Sequence, residues 1–299
     1  MPVPSVATTM DLPQLFLAAD EASVAAQRNL LRRTALRLSL LVLGAAVVLA
    51  PMPARVGPAL ALCCFTLALY FHLRVLQARS GEWWFRGRAL AESVKGVSWR
   101  YAVGGEPFDV DSSDAGVDRL FLRRLTELRA ALPDVVLQPT PGSAITEGMR
   151  DLRSRNLAAR RRAYLALRVD QQIAWYGERA RRNDQLARRW EGAVVMLEMA
   201  AVVAAVFAVA DLWIPNWEAL LTTGAGCLGT WLNLKQHATL ARTYSSTMAD
   251  LILVRERLLA VTSESEWAAC VAEAEGLISR EHSLWQTARG EASGGGRSS

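Results

Sequence analysis

Glu198 is the residue whose type and setting most invite chemistry. It stands in an apolar run, Gly192–Ala210, eight residues beyond Trp190. On a helix rising 1.5 Å per residue that is about 12 Å of depth. A charge inside hydrocarbon costs on the order of 3 kcal/mol, so such a carboxylate must face protein or water. Asn233 and Lys235, at the end of the next apolar run, Trp217–Leu234, reach a comparable depth from the same side. Two uses follow. One is a helix-locking hydrogen bond with the carboxyl protonated. The other is a ring of carboxylates, one per copy, lining a cation path, with Asn233, Thr222 and Thr223 as further intramembrane polar groups.

Gly224, Gly226 and Gly229 spell a literal G-x-G-x-x-G. A dinucleotide fingerprint needs a strand before it and a helix opening after it. Here the glycines fall inside an apolar helix, where small residues permit close helix packing, or a thin wall beside a pore.

The remaining candidates sit on polar helices. Tyr164, Arg168, Gln171 and Trp175 recur at steps of four, three and four, as do Arg88, Glu92, Lys95 and Trp99. Glu281 and Trp285 share the packing face of the last helix with Leu277 and Leu284. Arg168, Gln171 and Gln172 near Glu281 predict a buried cytoplasmic network; the alternative is a solvated face with ordinary surface pairs. Arg160–Arg162 and Arg179–Arg182 read as solvated or lipid-facing. The four cysteines show no CxxC spacing, and the three histidines are far apart. With no nucleophile–base constellation, paired carboxylates, P-loop or metal motif, the expectation is a non-enzyme with no cofactor or metal.

The elements that must position these residues are helices. The chain has 299 residues, 52% of them hydrophobic, and a mean hydropathy of +0.14. Those numbers, with apolar residues segregated into runs, put the membrane class first. Residues 38–50 and 56–73 form one pair of spans, joined at Pro51 and Pro53; residues 192–210 and 217–234 form a second, joined around Pro215. Arg28, Arg32, Arg33 and Arg37 precede the first pair and Arg74, Arg79, Arg86 and Arg88 follow it; Arg188, Arg189 and Lys235 bracket the second. Of basic residues the far turns hold only Arg55, and the second carries Asp211 and Glu218. Both hairpins therefore place the two termini and the middle of the chain in the cytoplasm. The net charge of +5 lies beside spans, which suits lipid headgroups better than nucleic acid.

These elements divide the chain into a disordered lead (1–19), a first two-span unit (20–132), a linker (133–145), a second two-span unit (146–289) and a disordered tail (290–299). Ser263 with Glu266 predicts a capping box at the start of the last helix.

Four stretches together resemble a known family. YLALRVDQQIAWYGERARRN (Tyr164–Asn183) precedes a hairpin, and RERLLAVTSESEW…EAEGLISREHSLW (Arg255–Trp285) follows it. This order is similar to the SLATT group, bacterial two-transmembrane effector domains. WWFRGRALAESVKGVSWRY (Trp83–Tyr101), after the first hairpin, resembles another SLATT subtype, and ITEGMRDLR (Ile145–Arg153) resembles the joining segment of two-part members. The resemblance implies membrane-perturbing or pore-forming effectors, tied to nucleotide second-messenger synthases and sensors in bacterial conflict systems. No synthase or sensor is recognisable here, so a nucleotide-sensing partner would be separate.

The reading is an all-α integral membrane protein with four transmembrane helices in two hairpins and long cytoplasmic helices packed as a bundle. It predicts a homo-oligomeric effector of the bacterial inner membrane that forms a pore or perturbs the bilayer. The alternative is a non-conducting membrane scaffold whose cytoplasmic bundle recruits a partner.

Overall fold

The computed structural model describes residues 10–78, 80–110, 113–131, 137, 141–210 and 217–294, with side chains given among them except for 80–82 and 280–294. The described chain is helical. In order run α1 (Gln14–Leu49), α2 (Val56–Gln77), α3 (Ser80–Val103), α4 (Asp114–Ala130), α5 (Glu147–Ser154) and α6 (Leu157–Tyr164). A π-turn (Leu165–Val169) leads into α7 (Asp170–Val209), followed by α8 (Trp217–Lys235), α9 (His237–Ala260) and α10 (Glu264–Gly294).

The caps explain the boundaries. Thr146 accepts from the Met149 amide at 3.2 Å, and Asn156 accepts from the Ala159 amide at 2.9 Å. These caps start α5 and α6, because a side-chain oxygen satisfies an amide that the first turn leaves open. Ser263 does the same for Glu266 at the head of α10, at 3.3 Å. α1 begins at Gln14, earlier than the expected Asp20. Its start is tied down: the Gln14 amide donates to the Ser143 carbonyl at 3.2 Å, and the Thr146 hydroxyl donates to the Asp11 carbonyl at 2.8 Å. α10 continues to Gly294, beyond the expected end near Arg289. Most of the expected linker and the far turn at 211–216 lie outside the described residues.

The chain forms two compact units. Unit 1 comprises Met1–Ala25, Glu82–Glu178 and Thr243–Ser299; unit 2 comprises Ala26–Gly81 and Arg179–Arg242.

Unit 1 has a conventional apolar core. Leu90, Val94 and Val97 of α3, Phe121 and Leu125 of α4, Met149 of α5, Leu258 of α9 and Val271 of α10 are all buried in it. Val117, Phe121 and Leu125 recur every four residues, the period that lines one face of a helix. Two aromatic groups fill the rest. Tyr101, Phe108 and Phe121 cluster with centroids 4.8–6.0 Å apart. Tyr164 receives Trp99 at 5.7 Å and Trp267 at 5.8 Å, both edge-on, the arrangement the ring quadrupole favours.

The end of α3 is a Schellman closure. Gly104 has φ +72°, and the Gly105 amide donates to the Arg100 carbonyl at 2.8 Å. A Cβ on Gly105 would lie 2.5 Å from Val271 Cγ1, so glycine there lets α10 approach.

Unit 2 is built differently. It holds the apolar part of α1, all of α2, the second part of α7, α8 and the start of α9. Both hairpins thus pack into a single unit. Two helices in the described chain are long and apolar enough to cross a membrane, Val56–Gln77 and the helical stretch Leu157–Val209. Only 11% and 6% of their apolar windows are buried, which separates them from the core helices of a soluble protein. The apolar stretch of α1 ends at Leu49, too soon after Arg37 to pass on its own, and α8 is diluted by Gly, Thr, Trp and Asn. The described residues therefore give two apolar helices where the sequence predicts four spans.

Candidate functional site

Unit 1 centres on a buried ion pair. Arg168 Nε donates to Glu275 Oε1 at 2.9 Å, and its Nη2 donates to Oε2 at 2.7 Å. The Tyr164 hydroxyl donates to Oε1 at 2.9 Å. Both charged side chains are 1% exposed. A planar guanidinium fits a carboxylate fork to fork, and such paired bonds exceed neutral ones. Burial works against the Arg168 charge, but the adjacent Glu275 carboxylate outweighs it and holds the guanidinium's pKa above its ordinary range. Burial, then the Glu275 charge, lifts the Tyr164 hydroxyl well above its usual value.

The π-turn delivers these groups. The Asp170 amide donates to the Leu165 carbonyl, five residues back, so one extra residue enters the turn. The buried face is re-phased by that insertion. Tyr164, Arg168 and Val169 point into the core, and Tyr176 is buried farther on. Gln171 and Trp175, grouped with Tyr164 and Arg168 by the straight-helix spacing, lie on the exposed side instead. Trp175 packs edge-on against Tyr244 at 5.3 Å.

On α3, Glu92 is buried and pairs with Arg88 at 2.7 Å, while Trp99 packs edge-on against Tyr164. Lys95 sits over the Phe16 ring at 5.9 Å. Burial lowers its pKa, and the Arg168 charge lowers it further. The side chains of Glu281 and Trp285 lie outside the described residues.

The carboxylate that meets Arg168 is Glu275, which the spacing argument did not select. Its signal was a lone acid between Ala274 and Ile278 on the buried stripe of α10, with Trp267 and Val271. Arg153 was missed as well, and Arg160, expected to be solvated or lipid-facing, is instead buried. Arg153 donates to the carbonyls of Tyr101 (3.0 Å), Phe108 (2.8 Å) and Asp109 (2.8 Å). Arg160 donates to the Val103 carbonyl at 2.7 Å and pairs with Glu264 at 2.5 Å. The Trp267 indole donates to the same Val103 carbonyl at 2.7 Å. These donors satisfy the open carbonyls of Tyr101 and Val103 at the end of α3, where positive charge is also favoured by the helix dipole, and those of Phe108 and Asp109 in the loop after it.

The arrangement holds helices together; it offers no nucleophile beside a base. Among the described residues no group of three or more His, Cys, Asp or Glu could hold a metal ion.

In unit 2, Glu198 is exposed on α7, flanked by exposed Met196, Met199, Val202 and Val203. Asn233 and Thr222 are exposed on α8. The Thr223 hydroxyl donates to the Ala219 carbonyl at 2.8 Å, the local bond by which a hydroxyl survives in apolar surroundings. Gly224, Gly226 and Gly229 do not pack closely within the chain. A Cβ on any of them would meet nothing within 4 Å, because the buried position of α8 is Ala225. Close packing in this unit occurs instead at Gly44, whose added Cβ would lie 2.6 Å from the Phe65 ring.

Two family models match this chain. Residues 13–161 match SMODS and SLOG-associating 2TM effector domain 3, and residues 164–285 match SMODS and SLOG-associating 2TM effector domain 1.

The chain belongs to the SLATT family.

It carries two SLATT domains in tandem. No curated protein and no solved structure matches the chain. The 2TM descriptions and the two exposed apolar helices mark it as membrane-associated. The junction of the two SLATT matches falls within α6, so the domains meet inside one helix. They also share the core of unit 1. Trp99, Val103 and Arg160 come from the first domain; Tyr164, Glu264 and Trp267 come from the second.

Proposed function

We propose that this tandem SLATT protein is an oligomeric membrane effector that opens a pore in the bilayer or otherwise perturbs it. In this reading all four apolar stretches span, as hairpins α1–α2 and α7–α8. The termini stay in the cytoplasm of a bacterium, beneath its inner membrane. The trigger comes from a separate nucleotide-sensing or signalling protein, and no catalytic step is involved.

One observation carries the reading. Glu198 is exposed among exposed apolar side chains on α7. A carboxylate facing lipid is costly, whereas one facing water or a second copy is not. Assembly of several copies that turns this face inward gives Glu198 water and gives the apolar side chains lipid or protein. The open space around Gly224, Gly226 and Gly229 leaves α8 room for a close neighbour from another copy.

The test is release of dyes of graded size from liposomes holding the purified full chain, with empty liposomes as control. Size-selective release is the expected result. Silence across candidate nucleotides and a range of voltages would overturn the pore reading and leave the scaffold alternative.

A further inference from the structure

Charge is divided unequally between the two units. Unit 2 holds fourteen Arg and Lys against five Asp and Glu, a net of +9. The whole chain is +5, so unit 1 is −4. In unit 1 arginines find acids: Arg150 pairs with Asp118, Arg255 with Asp170 and Arg257 with Glu273. In unit 2, Arg28, Arg32, Arg181, Arg182, Arg189 and Arg242 are exposed and make no ion pair with a described residue.

In the membrane-spanning reading these six stand on the cytoplasmic side, where contacts within unit 2 tie α1 to α2 and α7 to α9. Arg33 on α1 donates to the Arg74 carbonyl of α2 at 3.5 Å. His237 at the head of α9 hydrogen-bonds Asn183 of α7 at 2.7 Å. Measured along the helices, the six stand about 5 to 17 Å outside the apolar stretches, at 1.5 Å per residue. The headgroup layer extends roughly 5–7 Å beyond the hydrocarbon, and the Debye length adds about 8 Å at physiological salt. Apart from Arg181, which stands just beyond, the arginines therefore fall in the headgroup layer or within about a Debye length of it.

We propose that this end of unit 2 is a binding surface for acidic phospholipid headgroups. The proposal rests on the membrane-spanning reading above. A nucleic acid fits less well, because Arg32 and Arg189 lie within about 9 Å of the apolar stretches, at headgroup level. One basic residue near an acidic leaflet raises partition roughly fivefold, so fivefold enrichment is the floor expected for six.

The experiment reconstitutes the full chain in vesicles of equal parts phosphatidylcholine and phosphatidylglycerol. Spin-labelled forms of each lipid report its share in the motionally restricted shell. The expected result is phosphatidylglycerol enriched at least about fivefold at low salt, falling toward parity at about 1 M salt, where the Debye length is only about 3 Å. Changing all six arginines to Gln cuts the enrichment at least about twofold, and changing them to Lys retains it. Parity in the wild type, enrichment unmoved by the Gln changes, or enrichment that survives high salt overturns the proposal; the salt arm needs no variant. Parity together with binding of a single-stranded oligonucleotide through the same arginines overturns it in favour of nucleic acid. Carbonate washing separates the two readings: a chain that washes out defeats membrane spanning itself, whereas a retained chain at parity defeats only the lipid surface.

Discussion

Arg168 and Glu275, 107 residues apart in sequence, meet fork to fork in the core of unit 1 at 2.9 and 2.7 Å. Tyr164 closes the third side of the carboxylate at 2.9 Å. Removing one partner leaves the other charge buried and unpaired, which costs about 3–5 kcal/mol. Arg168→Met and Glu275→Leu are each expected to destabilise the protein by that amount. The double variant should recover much of the loss, because an apolar pair needs no desolvated charge. Thermal melts of the four proteins in one detergent give the cycle; strictly additive losses would show that the pair is not coupled.

The shared core predicts that neither SLATT domain folds alone. Arg160 and Glu264, and Val103 and Trp267, face each other across the domain junction. Burying a large apolar side chain contributes about 1.5–3 kcal/mol, and separating the halves exposes Trp99, Tyr164 and Trp267 together. Residues 1–162 and 163–299 expressed singly should aggregate or be degraded. Expressed together with a tag on one, they should co-purify. A cooperative thermal transition from either half alone would refute the shared core.

Tyr101 predicts an alkaline limit. Burial, then its hydrogen bond to Asp118, pushes the hydroxyl up to about 12. An unfolded tyrosine ionises near pH 10. Between those values the unfolded chain loses its proton while the folded chain keeps it, so stability falls as pH rises from about 10 to about 12. Ultraviolet titration of the folded protein should show a phenol ionising near 12, and Tyr101→Phe should remove that step and flatten the stability decline. A Tyr101 titration at the ordinary value would contradict the packing of Tyr101 among Phe108 and Phe121.

Glu198→Gln tests the pore directly. In a conducting assembly, neutralising a ring of carboxylates should reduce cation preference while expression and oligomer size stay unchanged. Reversal potentials under a salt gradient read this out. A conducting variant with unaltered selectivity would mean that Glu198 does not line the path.

Helix, cap and apolar run were legible because each depends on neighbours in sequence. Ser263 caps α10 three residues on, and the apolar run through Glu198 declares itself by length and composition. The Arg-rich flanks at Arg28–Arg37 and Arg179–Arg189 were equally plain. Tertiary structure decided the rest. A straight helix groups Tyr164, Arg168, Gln171 and Trp175; one extra residue in the π-turn keeps the first two buried and turns the last two out. Glu275 became the acid for Arg168 because packing of α10 brought it within reach, and no local spacing encodes a contact 107 residues away. Local hydrogen bonding and burial periodicity act over a few residues and are written in the sequence. A buried charge takes as its partner whichever group the packed core places beside it.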